Sequence, residues 1–565
     1  MSDHKQQFTG AEIILKCLVR LGITDIFGYP GGAVIPLYDA LYDCKELNHY
    51  RVRHEQGAAH SADAYGRVSG GKPGVCVATS GPGATNLVTG IMTAYMDSSP
   101  LMAITGQVPL ALLGKDSFQE SDILGITRPI TKKNYLISKV EEIPFIFQEA
   151  YRIATEGRPG PILIDVPKDI QLAKINAEDF ESYFHQATLA LEEKPDIKKS
   201  FSGLEAIAEA INRSEKPLII AGAGIQKSHS ELFLKELVEK AQIPVALSLL
   251  GLGNLPATHP LFLGMLGMHG TYEANKAIQE ADLILALGIR FDDRITGDPK
   301  QFATQAKIIH IDIDAKEINK NIPTSLSLVG NLNKILSQLL SHIEVKKRES
   351  WGETINSIKK NSRQFISQTD ALTPQKVLTK LDDLLQGQAI ITTDVGQHQM
   401  WAAQKLSYNR PRSFCSSGGS GTMGFGLPAA IGAQVAHPTQ QVIAIVGDGG
   451  FQMTAQELMI LHEYQLPVKV ILINNSYLGM VRQWQELFQD RRYSCVDMSC
   501  NPDFVALSHA YKVPAVQISS LHALEQLKEY LETPGPMVIE CVVAAEENVF
   551  PMIPAGATFS DMMIE

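Results

Sequence analysis

The sequence predicts an α/β protein built of three doubly wound parallel-sheet domains, and three observations carry that prediction. The chain has 565 residues, too many for one hydrophobic core. β-branched runs recur along it, each followed by turn residues and a helical stretch, the alternation of a parallel sheet covered on both faces. The alternation breaks twice, at polar, charged stretches over residues 173–203 and 345–372 that read as linkers. The domains expected are therefore 1–180, 195–345 and 370–545, with a tail over 546–565.

Taken in order, Thr9 caps a helix to Leu21, because Glu12 follows three residues later and positions 13, 14, 15, 18 and 19 are apolar. Asp25 to Gly28 reads as a short strand running into Tyr29-Pro30-Gly31-Gly32. Further strands are expected at 74–78, 101–105 and 162–166, and the first domain should end past Asp165-Val166-Pro167-Lys168. Glu192-Glu193-Lys194-Pro195 and Lys198-Lys199 mark the first linker. Alternation restarts at Pro217, ahead of Gly222-Ala223-Gly224, and continues through 283–287 and 307–313. As a dinucleotide signal those glycines are weak, since Lys227 stands where the third glycine of G-x-G-x-x-G belongs. In the third domain a strand over 390–393 ends at Asp394, and one over 442–446 stops at Gly447-Asp448-Gly449. A helix follows, then Pro467 and a strand over 468–473 ending at Asn474-Asn475. No residue-level repeat links the outer domains. The tail carries Pro, Gly, Met and Phe without periodicity and reads as a segment packed on a surface.

Composition excludes several classes. A net charge of −11 without a long Lys/Arg stripe argues against nucleic-acid binding. No apolar run reaches bilayer length, and the N-terminus lacks the apolar core of a signal peptide, so a soluble chain without a membrane partner is expected. The seven cysteines are scattered, with no Cys/His set at zinc spacing; a reducing cytoplasm fits.

The chemistry concentrates in the third domain. One βαβ unit delivers a carboxylate, Asp448, and a carboxamide, Asn475, to the carboxyl edge of adjacent strands, where ligands sit in open α/β sheets. Hard oxygen donors suit Mg²⁺, and neighbouring glycines let a bulky anion approach the backbone, so a Mg²⁺–diphosphate site is inferred. A Gly-Asp-Gly turn alone is as often a polar strand end. With 24 residues between Gly449 and Asn474, and a strand on each side, it resembles the diphosphate motif of thiamine diphosphate (ThDP) enzymes.

Other segments extend the resemblance. Arg53-His54-Glu55-Gln56-Gly57 stands where a strand gives way to a helix, and Thr79-Ser80-Gly81-Pro82-Gly83-Ala84-Thr85-Asn86 follows a strand and opens a helix expected at Asn86. On its own, Glu55 reads equally as a helix-capping carboxylate. Asp394-Val395-Gly396-Gln397-His398 and the glycine-rich run 417–424 match the family's cofactor-holding segments. From residue 8 to 560 the chain resembles the catalytic large subunits of acetohydroxyacid (acetolactate) synthases. The resemblance implies that Glu55 hydrogen-bonds the ThDP pyrimidine and promotes loss of the thiazolium C2 proton. It places ThDP against Val395, Gly396, Gln397, His398, Gly421, Gly449 and Gly450, with Met423 propping the bent cofactor and bringing its amino group to C2. Asp448, Asn475 and the carbonyl of Tyr477 are the implied Mg²⁺ ligands. An FAD of structural role is implied at Arg158, Gly222, Gly224, Met265, Gly267, His269, Arg290, Asp292, Arg294 and Asp312.

For the reaction, the resemblance implies pyruvate as donor and pyruvate or 2-oxobutyrate as acceptor. Arg290 would hold the acceptor carboxylate, Phe118, Met480, Val481 and Trp484 would line the substrate pocket, Gln119 would lie near the reacting oxygens, and Lys168 would stand at the entrance. It implies a pyrimidine-binding first domain, an FAD-associated middle one, a diphosphate-binding third one and a tail that closes over the site. A homodimer or homotetramer and a small regulatory subunit follow as partners. Rival readings are a pyruvate oxidase, which would reduce its flavin; a 2-oxoacid decarboxylase, which wants a His pair missing from the first domain; a non-enzymatic regulator, which should lack Glu55; and a flavin-free catabolic acetolactate synthase, against which the 290–294 segment and Trp484 argue.

Overall fold

Eighteen strands in three parallel six-stranded sheets form the frame of the computed structural model, which describes residues 6–192, 201–362 and 370–564. In the first domain they are Asp25–Gly28, Asn48–Arg51, Gly74–Ala78, Leu101–Gln107, Lys133–Leu136 and Pro161–Pro167 (β1–β6). They lie in the order β2-β1-β3-β4-β6-β5. The third domain holds Ile390–Thr393, Phe414–Ser416, Val442–Gly447, Lys469–Asn474, Ala515–Ile518 and Met537–Val542 (β13–β18), ordered β14-β13-β15-β16-β18-β17. The two outer domains thus share one topology that no residue repeat discloses.

The middle domain differs. Its strands Pro217–Ala221, Val245–Leu247, Phe262–Met265, Leu283–Leu287, Lys307–Asp312 and Leu326–Val329 (β7–β12) run β9-β8-β7-β10-β11-β12. That is the strand order of dinucleotide-binding sheets, whose ligand crevice opens where the order reverses, between β7 and β10.

The strand β15 explains how the layers stack. Val442, Ala444 and Val446 join one fully buried core with Ala58, Leu101 and Ala103 of the first domain. Ile443 and Ile445, facing the other way, join a core with Ile219, Leu283 and Ile309 of the middle domain. Side chains alternate across a strand, so a continuous apolar run is what burial on both faces demands. The helices Glu55–Val68 and Gly426–Ala436 meet in the first seam closely enough that a Cβ on Gly432 would lie 1.9 Å from the Ser61 carbonyl oxygen.

Several expectations are corrected. Residues 174–192 are no linker: Lys174–Asn176 pairs antiparallel with Gln7–Thr9, and Ala177–Glu192 is a helix. Its Phe180 is fully buried, edge-on to Phe8 at 6.0 Å. The linker residues 193–200, with Lys194, Pro195 and Lys198-Lys199, lie outside the described residues. The second linker likewise contains a helix, Glu349–Ser362, burying Trp351, Ile355 and Ile358 on the middle domain, with Trp351 Nε1 donating to the Pro217 carbonyl at 2.9 Å. Both domain ends therefore move outward. Residues 363–369 lie outside the described ones. The helix expected from Asn86 begins earlier, at Pro82, because Gly81 at φ 59° turns the chain there. The tail packs as read: Ile553 donates its amide to the Met268 carbonyl at 2.8 Å, and Val549 donates to Gln483 Oε1 at 2.9 Å. Among the described residues no helix is long and apolar enough to cross a membrane.

Candidate functional site

At the carboxyl edge of the third sheet, β13, β15 and β16 end in Asp394, Asp448 and Asn474-Asn475. Asp394 is fully buried and accepts amide hydrogen bonds from Val395 at 2.7 Å, Gly424 at 3.0 Å and Gly426 at 3.1 Å. Burial pushes its carboxyl up to about 6, against those amides. This carboxylate therefore ties the 394–398 turn to the glycine-rich run 417–424, a job the sequence reading gave to no residue. Burial likewise raises Asp448 to about 6, while Asn501 Nδ2 donates to its Oδ2 at 2.7 Å. Asn501 arrives from a loop with no local sequence signal.

Asp448, Asn475 and Tyr477 surround one small cavity of about 60 Å³. Val395, Gly396, Gln397, His398, Met423, Gly449 and Gly450 complete its wall. The glycines are required by closeness: a Cβ on Gly450 would sit 2.4 Å from Asp394 Oδ1, one on Gly447 2.7 Å from His398 Nδ1, and one on Gly449 2.6 Å from Leu478 Cδ2. His398 is buried, its ring pushed down to about 4 by desolvation, and its Nε2 has no hydrogen-bond partner among the described residues. An orphaned ring nitrogen beside bare glycine backbone at a strand edge is what an anionic ligand would complete. Asp448 Oδ, Asn475 Oδ1 and a main-chain carbonyl are hard oxygens that suit Mg²⁺; among the described residues no cluster of three His, Cys, Asp or Glu side chains offers an alternative metal site. The residues present fit a metal-bound diphosphate.

A second opening, a crevice of about 500 Å³, lies at the switch point of the middle sheet. Gly222 and Gly224 stand at its floor, where Cβ atoms would come within 2.3 Å of Gly288 O and 2.6 Å of Gly288 Cα. Met265, His269, Arg290, Asp292, Arg294 and Asp312 line it, and Arg158 enters from the first domain. Arg158 donates to Ser98 Oγ at 2.8 Å and pairs with Glu317 at 2.8 Å. Burial raises Asp292 and lowers His269 to about 4, and among the described residues neither Asp292 Oδ1 nor His269 Nδ1 has a hydrogen-bond partner. Strand order, size and these two orphaned polar atoms fit a dinucleotide such as FAD. Gly267 is the exception among the residues assigned there: it does not line the crevice, but at φ 106° it passes beneath the Arg294 carbonyl, 2.4 Å from where a Cβ would stand. Gly421 faces this crevice rather than the small cavity.

The two openings share a wall. Val395, Gly396, Met423, Met480 and Val481 line both, and Trp484 lines the crevice one turn further along the helix Gly479–Phe488. That helix approaches so closely that a Cβ on Gly479 would fall 2.1 Å from Gln397 Oε1.

The first domain holds the remaining residues on its own sheet edge. Glu55 opens the helix Glu55–Val68, half-buried, and Asn86 Nδ2 donates to its Oε2 at 2.9 Å. Gly83 leaves room for Oε1, and Gly81 packs against the backbone of Gln119, itself at φ 59°. Phe118 is 88% exposed, and Lys168 is half-buried at the end of β6. Neither opening is lined by Glu55, Phe118, Gln119 or Lys168. Within one chain the metal, diphosphate and dinucleotide sets come together; these four do not join them.

Comparison with known proteins places the chain in a family. Models of the thiamine pyrophosphate enzymes match in three parts: the N-terminal TPP binding domain at residues 8–126, the central domain at 204–339 and the C-terminal TPP binding domain at 394–541. The chain is 48% identical to the probable acetolactate synthase large subunit of Methanocaldococcus jannaschii, covering 98% of this chain and 95% of that one. It is 43% identical to the acetolactate synthase isozyme 2 large subunit of Escherichia coli, covering 98% and 99%. To the chloroplastic acetolactate synthase 1 of Oryza sativa it is 44% identical, covering 98% and 88%.

Proposed function

From the premise that the chain belongs to the thiamine pyrophosphate enzymes, within the acetolactate synthase large-subunit family, we propose which residues run the reaction and with what metal, flavin and partners. The reaction decarboxylates pyruvate and joins the remaining two-carbon unit to a second 2-oxoacid. Pyruvate as acceptor gives 2-acetolactate, and 2-oxobutyrate gives 2-aceto-2-hydroxybutyrate.

The observation that carries the assignment is the wall shared by cavity and crevice. It sets a small, glycine-walled cavity that holds Asp448, Asn475 and Tyr477 beside a helix whose Met480, Val481 and Trp484 line the neighbouring space. We assign Asp448, Asn475 and the Tyr477 carbonyl to Mg²⁺, and His398 with the glycine amides to the diphosphate. When bound, thiamine diphosphate supplies the nucleophilic carbon that attacks pyruvate and holds the electron pair released with carbon dioxide. Met423, which lines both openings, would support the bound cofactor between them. Arg290 pairs with the acceptor carboxylate, and Trp484, Met480 and Val481 give the larger acceptor apolar contact. Gln119 donates to substrate oxygens, Phe118 covers the pocket and Lys168 stands at its mouth. FAD occupies the crevice in a structural role, because joining two 2-oxoacids involves no net redox change.

Glu55 accepts a pyrimidine hydrogen bond from a different sheet edge than the one holding the metal. A second copy of the chain therefore completes each site, making a homodimer the smallest active unit and a homotetramer a pair of them. A small regulatory subunit is proposed because relatives carry the name large subunit. The seven cysteines, all unpaired, suit a reducing compartment such as the cytoplasm. The test is Glu55→Gln: acetolactate formation should fall ~10²–10⁴-fold with the protein still folded. Activity near wild type would overturn the assignment. Unchanged flavin colour under anaerobic pyruvate is expected; stoichiometric bleaching would make this an oxidase.

A further inference from the structure

Behind Glu55 lies a second carboxylate that the reaction as assigned does not use. Glu457, on the turn Ala455–Glu457 of the third domain, is fully buried in the seam between the outer domains. Its Oε1 and Oε2 accept the Arg53 amide at 3.1 and 3.2 Å, two residues ahead of Glu55. Position 57 is glycine for its sake, since a Cβ there would stand 2.7 Å from Glu457 Oε1. Glu463 grips the same segment from outside, pairing with Arg51 at 3.0 Å and with the Arg53 guanidinium.

We propose that Glu457 is a positioning residue for Glu55: by accepting the Arg53 amide in the space left by Gly57, it fixes the first turn of the Glu55 helix and the charge felt there. The proposal rests on the assignment of Glu55 given above. The groups that act on Glu457 are Arg53, through its amide and its charge, the His54 amide, and Glu55 at the first turn of the helix; Glu463 pairs with Arg51 and Arg53, and the Tyr464 hydroxyl accepts the Arg51 amide. Burial, outweighing the Arg53 and His54 amides and the Arg53 charge, pushes Glu457 up to about 8, and Glu55 pushes in the same direction. Near neutral pH Glu457 is therefore uncharged and spares Glu55 a like charge; above about 8 it ionises and adds one.

Three variants decide it. Glu457→Gln keeps an acceptor for the Arg53 amide and should retain neutral-pH activity, whereas Glu457→Ala should lose ~10–100-fold by releasing the helix start. The kcat/KM profile of the wild type should bend above pH about 8, and that limb should be missing from Glu457→Gln. A readout independent of turnover follows from linkage. A carboxyl raised on folding stabilises fully below its unfolded value of 4.5 and loses that stability as pH rises towards about 8. Hence the wild-type urea midpoint should fall relative to Glu457→Gln across that window. Coincident alkaline limbs and parallel urea curves would overturn the proposal. Glu55→Gln, run alongside, separates the failures: full activity there would sink the role of Glu55 itself, while its loss with unaltered Glu457 variants would sink only this inference.

Discussion

The first and third domains wind six parallel strands in the same order, yet their carboxyl edges hold opposite things. The third edge buries two aspartates, Asp394 and Asp448, among glycines, and Asp448 lines a cavity there. The first edge presents one half-buried carboxylate, Glu55, held by Asn86 beside an exposed Phe118. Topology brings residues to an edge; it does not say which. A buried carboxylate surrounded by amides can grip a metal-bound anion, because desolvation is offset only by fixed partners. A single half-buried one, held by one neutral amide, suits a hydrogen bond to a neutral ring. In the function proposed, the two edges act as complementary halves, each lacking what the other has.

The largest expected effect tests that complementarity. Chains carrying Glu55→Gln and chains carrying Asp448→Asn should each be nearly inactive alone. Mixed and reassembled, they should recover about a quarter of wild-type activity, since half the dimers hold one intact site made of Glu55 from one copy and Asp448 from the other. An assay showing no recovery, with mixed dimers verified by mass, would place both halves within one chain. Next in size is Asp394→Ala. It leaves the amides of Val395, Gly424 and Gly426 without their acceptor, each such bond to a charged group being worth ~1.5–3 kcal/mol. ThDP affinity, followed by fluorescence titration, should weaken ~100-fold while Glu55→Gln leaves it within a few fold. Equal losses would mean that both edges serve mainly to bind.

How much of this the sequence disclosed follows the same divide. Strands buried on both faces were legible, because Val442–Gly447 and Leu283–Leu287 are continuous apolar runs. Edge strands such as Asn48–Arg51 and Lys133–Leu136 were not; they are polar and half-exposed, and only pairing defines them. The helices Ala177–Glu192 and Glu349–Ser362 passed for linkers because a few buried side chains, Phe180 or Trp351, are outnumbered by charges on the outer face. In the site, the motif residues down to Asp448 and Met423 do line one cavity. Asn501 and Glu457 were not legible, because each acts across a tertiary contact that no spacing encodes. Gly267, expected at the flavin, stands outside the crevice lining, and its positive φ is what requires glycine there.

Smaller still is the effect expected on the shared wall. Trp484 packs on Phe488 with ring centroids 5.1 Å apart and lines the crevice with Met480. Trp484→Leu removes apolar contact from the larger acceptor while leaving the metal cavity, which it does not touch. With pyruvate and 2-oxobutyrate in competition, the ratio of products should shift towards 2-acetolactate by ~10-fold, the worth of a methylene or so of pocket contact. An unchanged ratio with lower total rate would move the substrate pocket elsewhere.

The seam that joins the two outer domains carries the smallest and most specific effect. His60, on the Glu55 helix, is fully buried edge-on to Phe425 at 5.2 Å, its Nδ1 unpartnered. Desolvation lowers its ring to about 3, Arg67 adding to the push. A histidine depressed on folding gives its full stability above the unfolded value of 6.5 and surrenders it as pH falls towards the folded one. Acid should therefore part the outer domains before it disturbs the middle one, which meets the third through an aliphatic core. His60→Gln cannot take up that proton. Its urea midpoint will start lower, since the ring's packing is lost, but should decline less steeply between pH about 6.5 and about 3, a difference of ~1–2 kcal/mol by mid-range. Parallel curves would mean that water reaches His60 in the folded protein and lets it take up its proton as in the unfolded chain, and that the seam is looser than its packing implies.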